Sequence, residues 1–172
     1  MDSKAKLAGH PIHPMLVVIP LGLFVMATLV DIYGALRNTS AFDSVSFWNI
    51  VGGIVGGLAA ALFGWIDWFA IPKNTRAKRI GLIHGLGNGV LLVLFAIAAY
   101  MRWQNDELAS TSTTLTLEVI ALALGTVTGW LGGELVNRLG VGVDDGAHVD
   151  APSSLSVPSL TRERLGESAH RA

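Results

Sequence analysis

Three histidines and two carboxylates are the side chains of this sequence best suited to bind a metal ion or a redox cofactor: His10, His13, His84, Asp67 and Glu134. Imidazole nitrogen binds haem iron and, together with carboxylate oxygen, binds non-haem iron, zinc or copper. The sequence contains no cysteine, which excludes disulfides, thiolate metal sites and cysteine-ligated iron–sulphur clusters. No nucleophile is paired with a base, so hydrolytic chemistry has no support.

The first two histidines lie in Gly9-His10-Pro11-Ile12-His13-Pro14, directly before a long apolar segment. A residue that precedes proline is driven out of the α region toward extended conformations. The pattern therefore predicts that both histidines lie on a short rigid lead-in. Pro14 is then the first helical residue, where its missing N–H costs nothing.

The composition is that of an integral membrane protein. Of its 172 residues, 51% are hydrophobic and only 15% are charged, and the mean hydropathy is +0.52, which is unlike an ordinary soluble domain. The net charge of −1 does not indicate a nucleic-acid partner. Four apolar stretches, 15–36, 47–71, 80–101 and 115–136, each exceed the roughly 20 residues that cross a bilayer as a helix. The predicted fold class is all-α, an integral membrane four-helix bundle in contact with the lipid bilayer.

Three regions follow from this pattern: a lead-in (1–14), the four-span bundle (15–138) and a polar tail (139–172) that is predicted to be disordered. The first and third loops carry one arginine each, Arg37 and Arg102. The N-terminal tail and the second loop carry the other basic residues near the spans: Lys4, Lys6, Lys73, Arg76, Lys78 and Arg79. The positive-inside rule predicts that both termini are cytoplasmic, here in a bacterial inner membrane.

Depth along the predicted helices brings the five candidate ligands to one layer near the cytoplasmic face. At a rise of about 1.5 Å per residue, Asp67 lies about one turn before the end of the second span, and His84 lies about one turn inside the third. Glu134 lies about one turn before the end of the fourth span, and His10 and His13 lie at the start of the first. Ionisable groups inside a membrane are expensive and usually functional, so this layer is the predicted site.

Two carboxylates have other interpretations. Glu134 could form an ordinary helix-surface ion pair with Arg138, four residues later. Asp31 lies near the opposite end of the first span and could form a separate site or cap the first loop. Because Asp31 is the only titratable group expected toward that side, a pathway for protons or small ions is not predicted.

Small residues recur every four positions in the second, third and fourth spans, as in Gly52, Gly56, Ala60 and Gly64. Such stripes allow helices to approach closely in lipid, and they could also leave room for a flat macrocycle against a helix.

An internal repeat is indicated as well. The segment Gly64-Trp65-Ile66-Asp67 resembles Gly129-Trp130-Leu131-Gly132, and His13 has a place in the first span like that of His84 in the third. Two helical hairpins in parallel orientation are related by an axis along the membrane normal. That arrangement would set His13 against His84 across the axis.

Three parts of the sequence form a pattern: the opening Gly9-His10-Pro11-Ile12-His13-Pro14-Met15-Leu16-Val17, the segment around His84, and the closing Gly129-Trp130-Leu131-Gly132-Gly133-Glu134-Leu135-Val136 with Gly140-Val141-Gly142-Val143. This pattern resembles a bacterial family of uncharacterised four-span membrane proteins, a domain of unknown function. The resemblance covers roughly residues 9–143 and implies the four-span architecture. Members are sometimes joined to Rieske-type or c-type cytochrome domains, which implies membrane redox work by association.

One part of the family pattern is altered in this chain. In relatives, Glu-Leu-Val is often followed by an aromatic residue, Arg and His, whereas Asn137-Arg138-Leu139 stand here. A ligand at that histidine would be missing from this chain. The resemblance therefore implies His10, His13 and His84 as the ligands that this chain retains.

Three functional hypotheses remain open. In the first, His84 and either His13 or His10 bind haem b, Asp67 or Glu134 orients an imidazole, and the protein transfers electrons to or from a redox protein partner. In the second, two or three histidines and a carboxylate bind an iron, zinc or copper ion. In the third, the protein is a non-catalytic assembly or partner subunit, and the polar layer joins the helices through bonds worth about 0.6 kcal/mol each.

Overall fold

The computed structural model describes residues 1–155, and four long helices form its main part. They are α1 (Ile12–Arg37), α2 (Asp43–Ala70), α3 (Arg76–Trp103) and α4 (Ser112–Gly133), the last continued by a five-residue π-helix, Glu134–Arg138. All four helices are long and apolar enough to cross a membrane. The predicted all-α membrane bundle is confirmed.

Each helix begins three or four residues before its predicted apolar stretch, because the first turn of each helix includes residues outside the most apolar run. Threonine side chains cap two of these starts: Thr75 accepts a hydrogen bond from the Lys78 N–H, and Thr111 accepts one from the Thr114 N–H. At the other end of α3, Arg102 lies inside the helix and not in the third loop, where the sequence placed it.

The N-terminal segment forms a small antiparallel hairpin of β1 (Lys6–Leu7) and β2 (His10–Pro11) directly before α1. His10 is extended and exposed, in line with the predicted lead-in. The prediction is wrong for His13, which lies in the first turn of α1. Pro14 is tolerated there because the first N–H groups of a helix have no partner within it.

The chain that follows the π-helix returns to this N-terminal segment. The Met1 amino group donates to the Gly140 carbonyl at 2.9 Å, and the Ser154 hydroxyl donates to the Ala8 carbonyl at 3.0 Å. Residues 140–155 therefore contact the N-terminus, although composition predicted disorder from residue 139 onward. The rest of that predicted tail, 156–172, lies outside the described residues.

The bundle consists of two helical hairpins, since α1 packs mainly along α2 and α3 mainly along α4. The hairpins meet where Phe24 of α1 stacks on Phe95 of α3, with ring centroids 3.9 Å apart. Small and apolar side chains surround this stack in the buried core: Ala27, Ile50, Leu91 and Ala121. Large apolar side chains elsewhere on the helices point outward, as expected of spans that face lipid.

Several glycines of the predicted stripes serve close helix packing. A methyl group added at Gly56 would meet Ile19 of α1 at 2.9 Å, and one added at Gly52 would meet Leu23 of α1 at 3.1 Å. In the second hairpin, a methyl group at Gly125 of α4 would meet Leu91 of α3 at 2.9 Å. These positions are filled by side chains of the neighbouring helix and not by open space.

Candidate functional site

His13 is held by α2 near the end of the bundle where the N-terminal segment and residues 140–155 lie, here called the terminal side. Its Nδ1 donates to the Ala60 carbonyl at 2.8 Å. One turn further along α2, the ring lies against Gly64, where an added Cβ would come within 3.0 Å of the imidazole. Glycine at this position therefore makes room for the ring.

His84 has the same environment in the second hairpin. Its Nδ1 donates to the Thr128 carbonyl of α4 at 2.8 Å, and an added Cβ at Gly132, one turn later, would come within 3.2 Å of the ring. Both imidazoles thus have a proton on Nδ1 and present the lone pair of Nε2. A carbonyl partner on the remote nitrogen is a common way for proteins to orient a metal-binding histidine.

Asn88, one turn deeper on α3, contacts the free nitrogen of His84. Its side-chain amide lies 3.3 Å from His84 Nε2 and 2.9 Å from the His84 carbonyl, while its oxygen accepts a 3.0 Å hydrogen bond from the Thr128 hydroxyl. A metal on Nε2 requires the amide to release that nitrogen. The amide keeps its second partner, the carbonyl, so this release costs one weak contact.

The two imidazoles face each other between α1 and α3. Their ring centroids are 6.3 Å apart and their planes are nearly perpendicular, at 85°. A metal–imidazole bond of about 2.0 Å places two rings on opposite sides of one ion with their centres about 6 Å apart. The observed separation fits a single metal centre between His13 and His84.

The predicted repeat is present, with a corrected register. Equivalent contacts align Gly64 with Gly132, since each glycine lies against the histidine of its own hairpin. The sequence similarity of the two Gly-Trp segments had aligned Gly64 with Gly129, where an added Cβ would meet nothing within 4 Å. The histidine pair was predicted correctly, and the alignment of α2 with α4 was wrong by one turn.

Asp67 lies at the predicted depth but binds a different partner. Its carboxylate accepts hydrogen bonds from the Ser3 hydroxyl at 2.8 Å and from the Lys4 N–H at 2.7 Å. It fastens the N-terminal segment to α2. The orienting bond to an imidazole that the sequence assigned to Asp67 or Glu134 is made instead by the carbonyls of Ala60 and Thr128.

Glu134 pairs with Arg76 at the start of α3, with 2.6 Å between the carboxylate and the guanidinium. This ion pair replaces the predicted one with Arg138 and joins the ends of α3 and α4. Of the five predicted ligands, only His13 and His84 are brought into contact with each other. Across residues 1–155, no three histidine, aspartate or glutamate side chains are grouped closely enough to hold one metal ion.

A second polar cluster lies near the opposite side of the bundle, where the α1–α2 and α3–α4 loops lie, here called the loop side. Asp31, Arg102 and Glu118 meet there, with side chains that are 0% exposed. The prediction that Asp31 is alone on this side is wrong. Glu118 had a signal in the sequence, because it and Glu134 are the charged residues of the predicted apolar stretch 115–136.

The comparisons with known proteins agree with this architecture. Residues 9–145, from the His-Pro segment to the chain that follows the π-helix, match the family described as "Predicted membrane protein (DUF2231)". No curated protein and no solved structure matches the chain. With four membrane-spanning helices and a match over most of its length, the chain belongs to this family of membrane proteins.

Proposed function

We propose that this integral membrane protein is a redox protein in which His13 and His84 are the axial ligands of a b-type haem. The observation that carries the proposal is the opposed pair of imidazoles, 6.3 Å apart. Each ring has its Nδ1 fixed by a backbone carbonyl, which leaves the Nε2 lone pair to bind a metal once the Asn88 amide releases His84. A bis-histidine haem iron supplies one-electron transfer, at a potential set by its ligands, their hydrogen bonds and its burial.

The roles of the surrounding residues follow from their contacts. The carbonyls of Ala60 and Thr128 hold the two Nδ1 protons and so set the tautomer and direction of each ring. Gly64 and Gly132 admit the rings between the helices of each hairpin. Asn88 occupies the lone pair of His84 in the absence of a metal and thereby satisfies a polar atom within the bundle.

A non-haem iron, zinc or copper ion between the same two nitrogen atoms is the second candidate. The close packing beside the pair favours it: Trp65 of α2 lies 3.5 Å from the position of a Cβ at Gly85, next to His84. An ion needs far less room than a porphyrin. It would complete its coordination with water or a backbone carbonyl, because no carboxylate among residues 1–155 joins the two histidines as a third ligand.

The test is a visible spectrum of detergent-purified protein, oxidised and after dithionite, with metal analysis of the same sample. The proposal expects a Soret band that sharpens on reduction, is lost in His13→Ala and in His84→Ala, and persists in His10→Ala and His148→Ala, two exposed histidines. A stoichiometric metal without porphyrin selects the second candidate. A colourless, metal-free wild-type protein that also fails to bind added haem or metal contradicts both and leaves an assembly or partner subunit.

We also propose that both termini face the cytoplasm of a bacterial inner membrane and that a redox protein partner approaches the terminal side. The distribution of basic residues supports this orientation, since Arg102 is buried in an ion pair and Arg37, at the end of α1, is the other basic residue on the loop side of the described chain. Fusions of green fluorescent protein and of alkaline phosphatase to the C-terminus check it. Fluorescence without phosphatase activity is expected, and the reverse result overturns the orientation.

A further inference from the structure

Three charged side chains from three different helices are completely buried at the loop side: Asp31 of α1, Arg102 of α3 and Glu118 of α4. The Arg102 guanidinium lies between the carboxylates, and its Nη1 contacts Asp31 Oδ2 as well as Glu118 Oε1, the latter at 3.5 Å. Buried charges in a membrane are expensive unless they are paired. This cluster is also separate from the histidine pair, which lies on the terminal side.

Neutral oxygens also accept hydrogen bonds from Arg102. Its Nη1 donates to the Ser46 hydroxyl at 3.1 Å, its Nη2 to the Asp43 carbonyl at 2.8 Å, and its Nε to the Leu108 carbonyl at 3.1 Å. These contacts hold the guanidinium in place between the two carboxylates.

One oxygen of each carboxylate has no donor. Among the described residues, Asp31 Oδ1 and Glu118 Oε2 are buried without a hydrogen-bond partner. The nearby Thr28 hydroxyl, which also lies close to Glu118, donates its proton to the Phe24 carbonyl. Leaving one buried acceptor unpaired costs about 1–3 kcal/mol, and more when the group is charged. Two such oxygens in one cluster indicate a missing donor.

The net charge of the cluster also indicates a missing proton. Two ionised carboxylates and one guanidinium leave a net charge of −1 with no access to water. Asp43, whose carboxylate accepts the Ser110 N–H at 3.4 Å, also faces the cluster, and the exposed Glu107 lies near Asp43. Both are negative and increase the demand for a positive charge. One added proton both neutralises the cluster and supplies the missing donor.

We propose that Asp31 and Glu118 bind a single exchangeable proton between Asp31 Oδ1 and Glu118 Oε2, so that this cluster is a proton-binding site inside the membrane. The proton converts one carboxylate to a carboxyl group, which donates to the other. The two side chains lie side by side, since both contact the same nitrogen, Nη1 of Arg102. Ser46 and the Asp43 carbonyl, at the start of α2, connect the site to the loop side, from which the proton enters and to which it returns.

A proton suits this site better than a metal cation does. Hard cations such as calcium take about six to eight oxygen ligands, and magnesium takes six in an octahedron. Only two oxygens are without a partner here, and the guanidinium already occupies the centre of the cluster. Sodium, which requires a comparable cage of oxygens, is the alternative that the experiment must separate from a proton.

Infrared spectroscopy of the full chain in detergent tests the proposal, because a carboxyl group has a C=O stretch distinct from the carboxylate bands. At neutral pH the wild type is expected to show this stretch, shifted in D2O and lost at alkaline pH. Glu118→Gln and Asp31→Asn each remove the excess negative charge and are expected to abolish the band. Glu107→Gln, at the exposed acidic residue nearby, is expected to retain it.

Two results would overturn the proposal. One is a wild-type spectrum without a carboxyl band at neutral pH, which needs no variant to be folded. The other is a band that appears only when sodium is replaced by choline, which would assign the site to sodium. The proposal does not depend on the haem, since the measurement is made on the protein whether or not His13 and His84 bind a cofactor.

Discussion

Phe24 stacks face to face on Phe95, with planes 8° apart, and the two residues hold equivalent positions in the two hairpins. They are separated by 71 residues along the chain, and the same interval separates Asp31 from Arg102 and His13 from His84. All three pairs form contacts between α1 and α3. They mark a pseudo-two-fold axis that runs from the terminal side to the loop side, as in other membrane proteins built from parallel repeats.

The phenylalanine stack should couple the two hairpins energetically. In a double-mutant cycle of Phe24→Leu and Phe95→Leu, we expect a coupling of about 0.5–1.5 kcal/mol, the value typical of aromatic pairs. The measurement is the free energy of unfolding in mixed detergent micelles. Phe47, which is buried but packs against Trp48 and Trp103, provides the control: its cycle with Phe24 should be additive. Additivity in the Phe24–Phe95 cycle would contradict a shared contact.

The glycines beside the histidines should be sensitive to a single methyl group. Gly64→Ala and Gly132→Ala place a Cβ 3.0 and 3.2 Å from an imidazole carbon, so the ring must shift or the helices must separate. Overpacking of this kind costs about 1–3 kcal/mol, and we expect the affinity for the bound metal centre to fall roughly tenfold. Binding titrations of the purified variants measure this.

Gly129→Ala is the matched control for that experiment, because an added Cβ there meets nothing within 4 Å. Its affinity should equal that of the wild type. If Gly64→Ala and Gly132→Ala bind as tightly as Gly129→Ala does, the imidazole positions described here do not determine binding.

Removing the buried guanidinium should destabilise the bundle strongly. Arg102→Met leaves Asp31 and Glu118 without their positive partner, and breaking a buried ion pair in this way costs about 3–5 kcal/mol. Arg37→Met, at the exposed end of α1, should change stability by less than about 0.5 kcal/mol. Unfolding in detergent compares them, and adding Asp31→Asn to Arg102→Met should recover part of the loss. Equal stability of the two single variants would argue against the buried cluster.

The bond between Asp67 and the N-terminal segment should protect that segment from proteolysis. Asp67→Ala removes the acceptor for the Ser3 hydroxyl and the Lys4 N–H, so trypsin should cleave after Lys4 and Lys6 several-fold faster than in the wild type. Mass spectrometry of timed digests follows the cleavage. Asp106→Ala, on the exposed turn after α3, should leave the rate unchanged. Similar rates in all three proteins would show that Asp67 does not hold the segment.

Hydropathy and small-residue spacing were sufficient to predict the four helices, since both depend on local sequence alone. The approach of His13 to His84 was also predictable, because equal depth and parallel hairpins bring equivalent residues together. Arg102 was assigned to a loop for a physical reason: an apolar window ends at the first charged residue, whereas a helix continues if that charge finds a buried partner. Here the partners come from α1 and α4 and are remote in sequence.

Depth along the helices did not predict the partners of the two carboxylates. Asp67 and Glu134 lie in the predicted layer, but depth does not give the rotation of a helix or the nearest donor. The partners are the Ser3 hydroxyl for Asp67 and the Arg76 guanidinium for Glu134. Ser3 belongs to a segment whose folding over α2 had no periodic signal in the sequence. Such contacts follow only from the three-dimensional arrangement.

The ion pair between Asp31 and Arg102 lies on the pseudo-two-fold axis, which restricts the kind of molecule that can contain it. In a symmetric dimer of one hairpin, each axial residue meets its own duplicate. Histidine can meet histidine and phenylalanine can meet phenylalanine, but an aspartate would be forced against a second aspartate. Opposite charges can occupy that level of the axis only because the two halves have different sequences, so a symmetric dimer of either hairpin would lack this ion pair.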